Sequence, residues 1–313
     1  MTRFAALDLG SNSFHMLIAD FNNDQLEIVD KKREMVQLGL GLDDKNRLSQ
    51  AAISSALNCL TEMGELIREH QPHALRVVGT ATLRKAVNGV DLINYGEQLL
   101  GAPIEIISGK EESELIYLGV RNTTKVENSD KILVIDIGGR STEFVLGTGD
   151  KIDYLASVDM GCIAATKLLF PNDYVDERRL RHGCEVMQQL LSDLDTPFQQ
   201  LDGVKIVGAS GTIRAVKRVF NHEGVTTNRK IPNAALKQLS HRFVGAKNLQ
   251  DVQFPDLCQK RIDVFSGGAV WLNEIFTALK IESMQVSKGA LREGICYQLF
   301  QRHREEVLTN GAL

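Results

Sequence analysis

Apolar residues come in short runs near the start of the chain and at spacings of three and four after that. Phe4–Leu9, Phe14–Asp20 and Leu26–Lys31 read as three successive strands, with Met35–Leu40 as a short continuation. Between Ser49 and His70 the period changes. Ile53, Leu57, Leu60, Met63, Leu66 and Ile67 then line one side of an amphipathic helix, with Ser49 as its cap. Leu75–Val78 and Ile104–Ile107 are strand-like, and helices are predicted over Asp91–Leu100 and Lys110–Val120.

A polar stretch, Arg121–Lys131, reads as a connection between a first domain over 1–125 and a second over 126–313. After it the order begins again. Strands are predicted at Ile132–Ile137, Thr142–Leu146 and Ile152–Val158, then helices at Ile163–Phe170 and Asp176–Leu201. The strand Lys205–Val207, helices Thr212–Phe220 and Gly268–Leu279, strand Ile281–Val286 and helix Leu291–Glu306 complete the second round. That last helix is a candidate to pack back on the first domain. Three antiparallel strands followed by alternating helices and strands, repeated once, is an internal duplication. A hairpin-first order differs from a strictly alternating dinucleotide-binding chain, and nothing matches G-x-x-x-x-G-K-[ST].

Composition narrows the class. A chain of 313 residues fits two domains, since single cores stop growing at about 250–300 residues. With 43% hydrophobic and 24% charged residues it is an ordinary globular composition, and a net charge of −4 provides no basic surface for nucleic acid. The five cysteines are scattered and never in a C-x-x-C spacing, so reduced thiols and a cytoplasmic location are expected. Polar residues interrupt the apolar N-terminal stretch, which fits neither a signal segment nor a membrane span.

The candidate chemistry lies in two acidic, glycine-rich turns, Asp8-Leu-Gly-Ser-Asn-Ser13 and Asp136-Ile-Gly-Gly-Arg-Ser-Thr-Glu143. Each follows one apolar strand and enters the next. A tip of small residues exposes backbone N–H groups that suit phosphate, and the carboxylate at its mouth suits a divalent cation or a water. A third turn, Gly208-Ala-Ser-Gly-Thr212, runs from a strand into a helix whose positive end can add to phosphate binding. Past another strand end Thr80–Arg84 places a guanidinium, with a fork that matches phosphate oxygens. Ser108-Gly-Lys-Glu-Glu-Ser113 opens a helix, and adjacent helical residues point about 100° apart, so only one of Glu111 and Glu112 can face a ligand. A carboxylate that orients and deprotonates a water is the part phosphoanhydride hydrolysis requires.

Together with Met160-Gly161-Cys162 and Gly289-Ala-Leu-Arg-Glu-Gly294, these motifs stand in an order that resembles the exopolyphosphatase/guanosine pentaphosphate phosphohydrolase (Ppx/GppA) family, over essentially the whole chain. The resemblance implies an α/β, actin-like, ribonuclease-H-like duplicated two-domain fold with an interdomain active-site cleft. It implies Glu112 as the catalytic glutamate, and Asp136 and Glu143, with Asp8 opposite, as ligands of Mg2+. The phosphate contacts it implies are Gly10, Ser11, Asn12, Ser13, Arg84, Gly138, Gly139, Arg140, Ser141, Thr142, Gly208, Ser210, Gly211 and Thr212. Cys162 is expected to be a buried structural thiol.

Three departures bear on activity. Arg140 stands where many relatives have a small residue, and reads either as an added phosphate ligand or as a side chain that blocks the site. His15 stands where many relatives have arginine and is expected to be a strand residue. The chain resembles the short, two-domain form of the family. The expected activity is release of a terminal phosphate from polyphosphate or guanosine pentaphosphate, with no nucleic-acid or membrane partner and with a homodimer left open. The alternatives are a polyphosphate-binding or nucleotide-binding sensor, and a sugar kinase or Hsp70-like ATPase on the same fold.

Overall fold

The computed structural model describes residues 2–310 apart from 226–229 and 245. Two compact units divide the chain: Met1–Thr123 with Gly289–Leu313, and Thr124–Lys288. The chain therefore crosses between units twice; the sequence predicts a boundary near residue 125, with the last helix a candidate to return to the first domain.

In the first unit, strands β1 (Arg3–Leu9), β2 (Phe14–Asn22) and β3 (Gln25–Glu34) form an antiparallel meander. Helix α1 (Gln50–His70) follows, and the Ser49 hydroxyl caps it by accepting from the N–H of Ala52 at 3.2 Å. Then come β4 (Ala74–Gly79), α2 (Ala81–Lys85), α3 (Gly89–Leu100), β5 (Ile104–Ile106) and α4 (Gly109–Thr123). Helical crossovers make β4 and β5 parallel to β1, and the sheet order is β3-β2-β1-β4-β5.

The second unit repeats the scheme with β6 (Lys131–Ile137), β7 (Thr142–Thr148), β8 (Lys151–Val158), α5 (Cys162–Leu169), α6 (Glu177–Ser192), β9 (Lys205–Gly208) and α7 (Gly211–His222). It continues through β10 (Lys230–Pro232), α8 (Asn233–Val244), α9 (Gln259–Ala278) and β11 (Ser283–Val286). Its order, β10-β11-β9-β6-β7-β8, is the first sheet's order with one antiparallel edge strand added. The leading hairpins match position for position. Asp8 lies opposite His15 and Asp136 opposite Glu143, and the pairing with the third strand shifts register at equivalent steps, Ile18/Ala19 and Leu146/Gly147. This is the duplicated ribonuclease-H-like, actin-like architecture, and each unit closes its own apolar core.

Several elements differ from the expectation. Helix α6 ends at Ser192, because Pro197 opens a separate 3-10 turn, Thr196–Gln199, while apolar Leu194 and Phe198 keep the helical spacing going. Helix α9 starts at Gln259 and not at Gly268. Its glycines serve close packing on α5: an added Cβ at Gly267 would fall 2.3 Å from the Thr166 nitrogen. The short elements α2, β10 and α8 carry too weak a period to be read in advance. No helix among the described residues is long and apolar enough to cross a membrane.

The last helix, α10 (Leu291–Asn310), packs in the first unit against α4 and stacks Phe300 on Phe21 of β2 at 4.0 Å between ring centroids. The α4–α10 crossing depends on glycine. A Cβ at Gly294 would lie 1.8 Å from the Leu115 carbonyl oxygen, and one at Gly119 would lie 2.1 Å from that of Ala290. Neither neighbour can yield, because each is a backbone carbonyl oxygen. Gly294→Ala is expected to destabilise the first unit by about 1–3 kcal/mol, the usual range for overpacking, read as a lower urea midpoint at unchanged slope.

Candidate active site

In the first unit, β1 ends at the acidic turn, and Ser11, Asn12 and Ser13 are all buried. The carbonyl groups of the turn are tied back. Gly39 N–H donates to the Ser11 carbonyl at 2.7 Å, and Gln37 N–H to the Asn12 carbonyl at 3.0 Å. Residues 35–40, expected to extend as strand, are instead a strap behind the turn. Turning the carbonyls away leaves the N–H face of the tip for an anion, since a carbonyl oxygen aimed at phosphate would repel it. Asn12 Nδ2 and Oδ1 and Ser13 Oγ are buried without a hydrogen-bond partner among the described residues. Leaving such groups unsatisfied costs roughly 1–3 kcal/mol each, and a ligand's oxygens would relieve it.

The same unit delivers Glu112. Ser108 opens α4 by accepting from Glu111 N–H with its hydroxyl at 3.1 Å and from Glu112 N–H with its carbonyl at 2.9 Å. The Glu112 side chain is buried, and its Oε2 accepts from Arg84 Nη1 at 2.8 Å; that Nη1 also donates to the Ile107 carbonyl at 2.8 Å. Burial holds the Glu112 carboxyl above the ordinary carboxylate range, and Arg84 offsets part of that rise. Arg84, expected on phosphate, thus has one nitrogen engaged with the candidate base.

In the second unit, Asp136 and Glu143 face each other across the β6–β7 hairpin, 8% and 1% exposed. Ser157 Oγ donates to Glu143 Oε1 at 3.1 Å. Two carboxylates directly opposite on one sheet face repel, and a cation between them removes that cost. The pair fits magnesium, which usually takes one or two carboxylates and completes its shell with phosphate oxygens and water. No group of three or more His, Cys, Asp and Glu that would hold an ion by itself is present among the described residues. Asp8, expected as a third ligand, stands opposite His15 in its own hairpin.

The second turn repeats the tied-back carbonyls with a different element. Gly138 N–H donates to the Ser141 carbonyl at 2.9 Å, while Cys162 and Ile163, at the start of α5, donate to the Gly138 and Gly139 carbonyls at 2.9 and 2.8 Å. Gly161 permits this approach, because a Cβ there would lie 2.6 Å from the Gly138 carbonyl oxygen. Arg140 Nε is buried with no hydrogen-bond partner among the described residues, and Ser141 is buried. The Thr142 hydroxyl is engaged within the fold. Its Oγ1 donates to the Met160 carbonyl at 2.5 Å and accepts from Trp271 Nε1 at 2.8 Å, with the residue fully buried.

At the third turn, Ser210 sits at φ 127° and ψ 162°, a region nearly reserved for glycine, and its Oγ accepts from Ile213 N–H at 3.1 Å to cap α7. Thr212 donates to the Ile137 carbonyl at 3.2 Å, so its hydroxyl, like that of Thr142, supports the fold. Gly208 also has a packing role, with Met284 Sδ 2.3 Å from where its Cβ would be. Gly211 is met by Arg261 of α9, whose Nη2 lies 2.9 Å from the position of a Cβ. Arg261 is 7% exposed, and burial pushes its guanidinium below the ordinary arginine value; the groups acting on it are Cys162, Cys258 and Arg218, none a carboxylate. A buried cation at the N-terminus of α7 suits an anion. Sequence reasoning missed Arg261 because it lies in the part of α9 that was not read as helix. Cys162 is buried, its thiol pushed up by that burial, as a structural role requires.

Comparison with known proteins now bears on these turns. The profile of the Ppx/GppA phosphatase family matches residues 17–303. The chain belongs to that family. A Vibrio vulnificus (strain YJ016) relative, named guanosine-5'-triphosphate,3'-diphosphate pyrophosphatase, is 36% identical over 304 residues, covering 97% of this chain. The chain spans 60% of that relative's length. An exopolyphosphatase structure from Cytophaga hutchinsonii superposes with a TM-score of 0.83 at 22% identity, over 96% of this chain and 98% of that one. A Ppx/GppA enzyme from Aquifex aeolicus does so with 0.78 at 24%, over 95% and 99%. At those identities the two structures speak for the family's fold.

In this family member the two acidic turns stand on matching hairpins, and Thr142 is the support of the second one. Thr142→Val is expected to leave the Met160 carbonyl and the Trp271 N–H unsatisfied. A loss of about 1–3 kcal/mol in urea unfolding would result, with Trp271 fluorescence, the chain's single tryptophan, as the readout.

Proposed function

We propose that the chain is a phosphoanhydride hydrolase that releases the terminal phosphate of inorganic polyphosphate or guanosine pentaphosphate in the cytoplasm. The observation that carries the reading is the buried Glu112 carboxylate at the start of α4, held by Arg84, in the unit whose turn presents the unpartnered Asn12 amide and Ser13 hydroxyl. Family membership and the name of the Vibrio relative support it.

In this reading Glu112 takes the proton of the attacking water, and its raised proton affinity makes it a better base than an exposed glutamate. The Gly10–Ser13 turn, with Asn12 and Ser13, holds phosphate oxygens in the first unit. The Gly138–Ser141 turn, Gly211 and Arg261 do so in the second. A magnesium ion held by Asp136 and Glu143 would neutralise charge on the phosphate oxygens. The water oxygen bonds to the terminal phosphorus, and the shortened chain leaves with the electron pair of the broken P–O bond; donors on its phosphate oxygens lower the cost of that charge.

The test is phosphate release by the purified chain with magnesium and polyphosphate, guanosine pentaphosphate or ATP. Release from at least one of the first two is expected, with a loss on the order of 100-fold or more in Glu112→Ala. Absence of release from any substrate, or equal release by the variant, sinks the reading; ATP as the preferred substrate would favour the kinase-type alternative.

A second reading, a phosphate-binding sensor, is favoured by Arg140, whose buried Nε has no partner at the tip of the second turn. A guanidinium there adds a charge-assisted hydrogen bond of about 1.5–3 kcal/mol. Under the hydrolase reading, Arg140→Gly raises KM for polyphosphate by about tenfold or more, the free-energy equivalent of that bond. A large gain in phosphate release by the same variant would support the sensor.

A further inference from the structure

The first turn of α4 carries Glu111 and Glu112 side by side, and a different arginine holds each. Glu112 goes to Arg84 of α2. Glu111 Oε1 accepts from Arg76 Nη2 at 2.6 Å. The same Arg76 guanidinium donates to Glu105 of β5 from Nε at 3.1 Å and Nη2 at 2.7 Å, and to Gln298 of α10 from Nη1 at 2.5 Å. One side chain of β4 thus joins β5, α4 and α10, and it is itself 6% exposed.

The energetic worth of this cluster is modest, since the Glu105 and Glu111 side chains are 47% and 39% exposed and water screens them. Its geometric effect is larger. A planar fork anchored on three sides holds a partner in one orientation. Glu111 and Glu112 point about 100° apart, so a rotation of α4 that carried Glu111 toward Arg84 would have to break the Arg76 contact. Sliding is closed as well, because the backbone contacts at Gly119 and Gly294 leave no play between α4 and α10. The Ser108 cap fixes where the helix starts but serves either glutamate equally, through the N–H groups of both.

We infer that Arg76 is a positioning residue for Glu112: by holding Glu111 it sets the rotation of the first turn of α4, so that Glu112 and not its neighbour is delivered to Arg84. The catalytic consequence rests on the hydrolase reading, while the geometric claim does not need turnover.

A double-mutant cycle on the full chain tests it. Arg84→Ala, Glu112→Gln and the double variant are unfolded in urea, in the parent and in a Glu111→Ala background. The coupling between Arg84 and Glu112 is expected to fall by more than half in Glu111→Ala and to persist in Glu111→Gln, whose amide oxygen still accepts from Arg76. Coupling that survives Glu111→Ala, or is absent from the parent, overturns the inference. In turnover, Glu111→Ala should lower kcat about 5- to 50-fold with KM within about twofold, and Glu111→Gln should recover most of it; unchanged kcat in Glu111→Ala also overturns it. If the parent releases no phosphate at all, the hydrolase reading fails while the cycle still decides the positioning role.

Discussion

The candidate chemistry depends on where four carbonyl groups point. In each unit a short hairpin turn has two of its carbonyls held from behind, by the N–H groups of Gln37 and Gly39 in one and by those of Cys162 and Ile163 in the other. An untied turn could present either face of its peptides. Tied, it presents N–H groups. The backing element differs between units, an irregular strap in the first and a helix N-terminus in the second, so the duplication preserves the constraint and not the part that imposes it. Gly161 belongs to the same constraint, because only the absence of a Cβ lets α5 come close enough to reach the Gly138 carbonyl.

Around the turns, each unit buries charge that its own interactions only partly compensate. Asp136 and Glu143 share one sheet face, Arg261 is buried with no ion pair to a carboxylate among the described residues, and Glu112 has Arg84 against a strong burial penalty. Such arrangements cost stability in the free protein and are repaid when a ligand of the right charge arrives. The signs differ in an ordered way: carboxylates where a cation would go, a guanidinium and a helix N-terminus where phosphate would go. Ser210 adds strained backbone at the third turn, again beside the groups that would meet an anion.

At other predicted contact positions the side chain is engaged by the framework. The hydroxyls of Thr142 and Thr212 are both engaged with backbone carbonyls in the interior, and Gly208 is a packing glycine beneath Met284. A motif marks a segment as near the ligand. It does not say which of its atoms face it, and in a tight turn neighbouring side chains point to opposite sides.

Local pattern determined the leading hairpins, the amphipathic face of α1 with its Ser49 cap, the repeat of the strand order and the location of all three phosphate-type turns. Each depends on periods of two or 3.6 residues or on the φ preferences of small residues, which neighbours in sequence set by themselves. Tertiary structure alone decided that α9 begins before its glycines, that residues 35–40 strap a turn, that Arg261 reaches Gly211, and that Glu112 takes Arg84 while Glu111 takes Arg76. Those outcomes depend on partners far along the chain, such as Trp271 on Thr142 at a separation of 129 residues and Gln298 on Arg76 at 222. No local period or propensity encodes a hydrogen bond across such a distance, because its geometry exists only once the unit that holds both partners has packed.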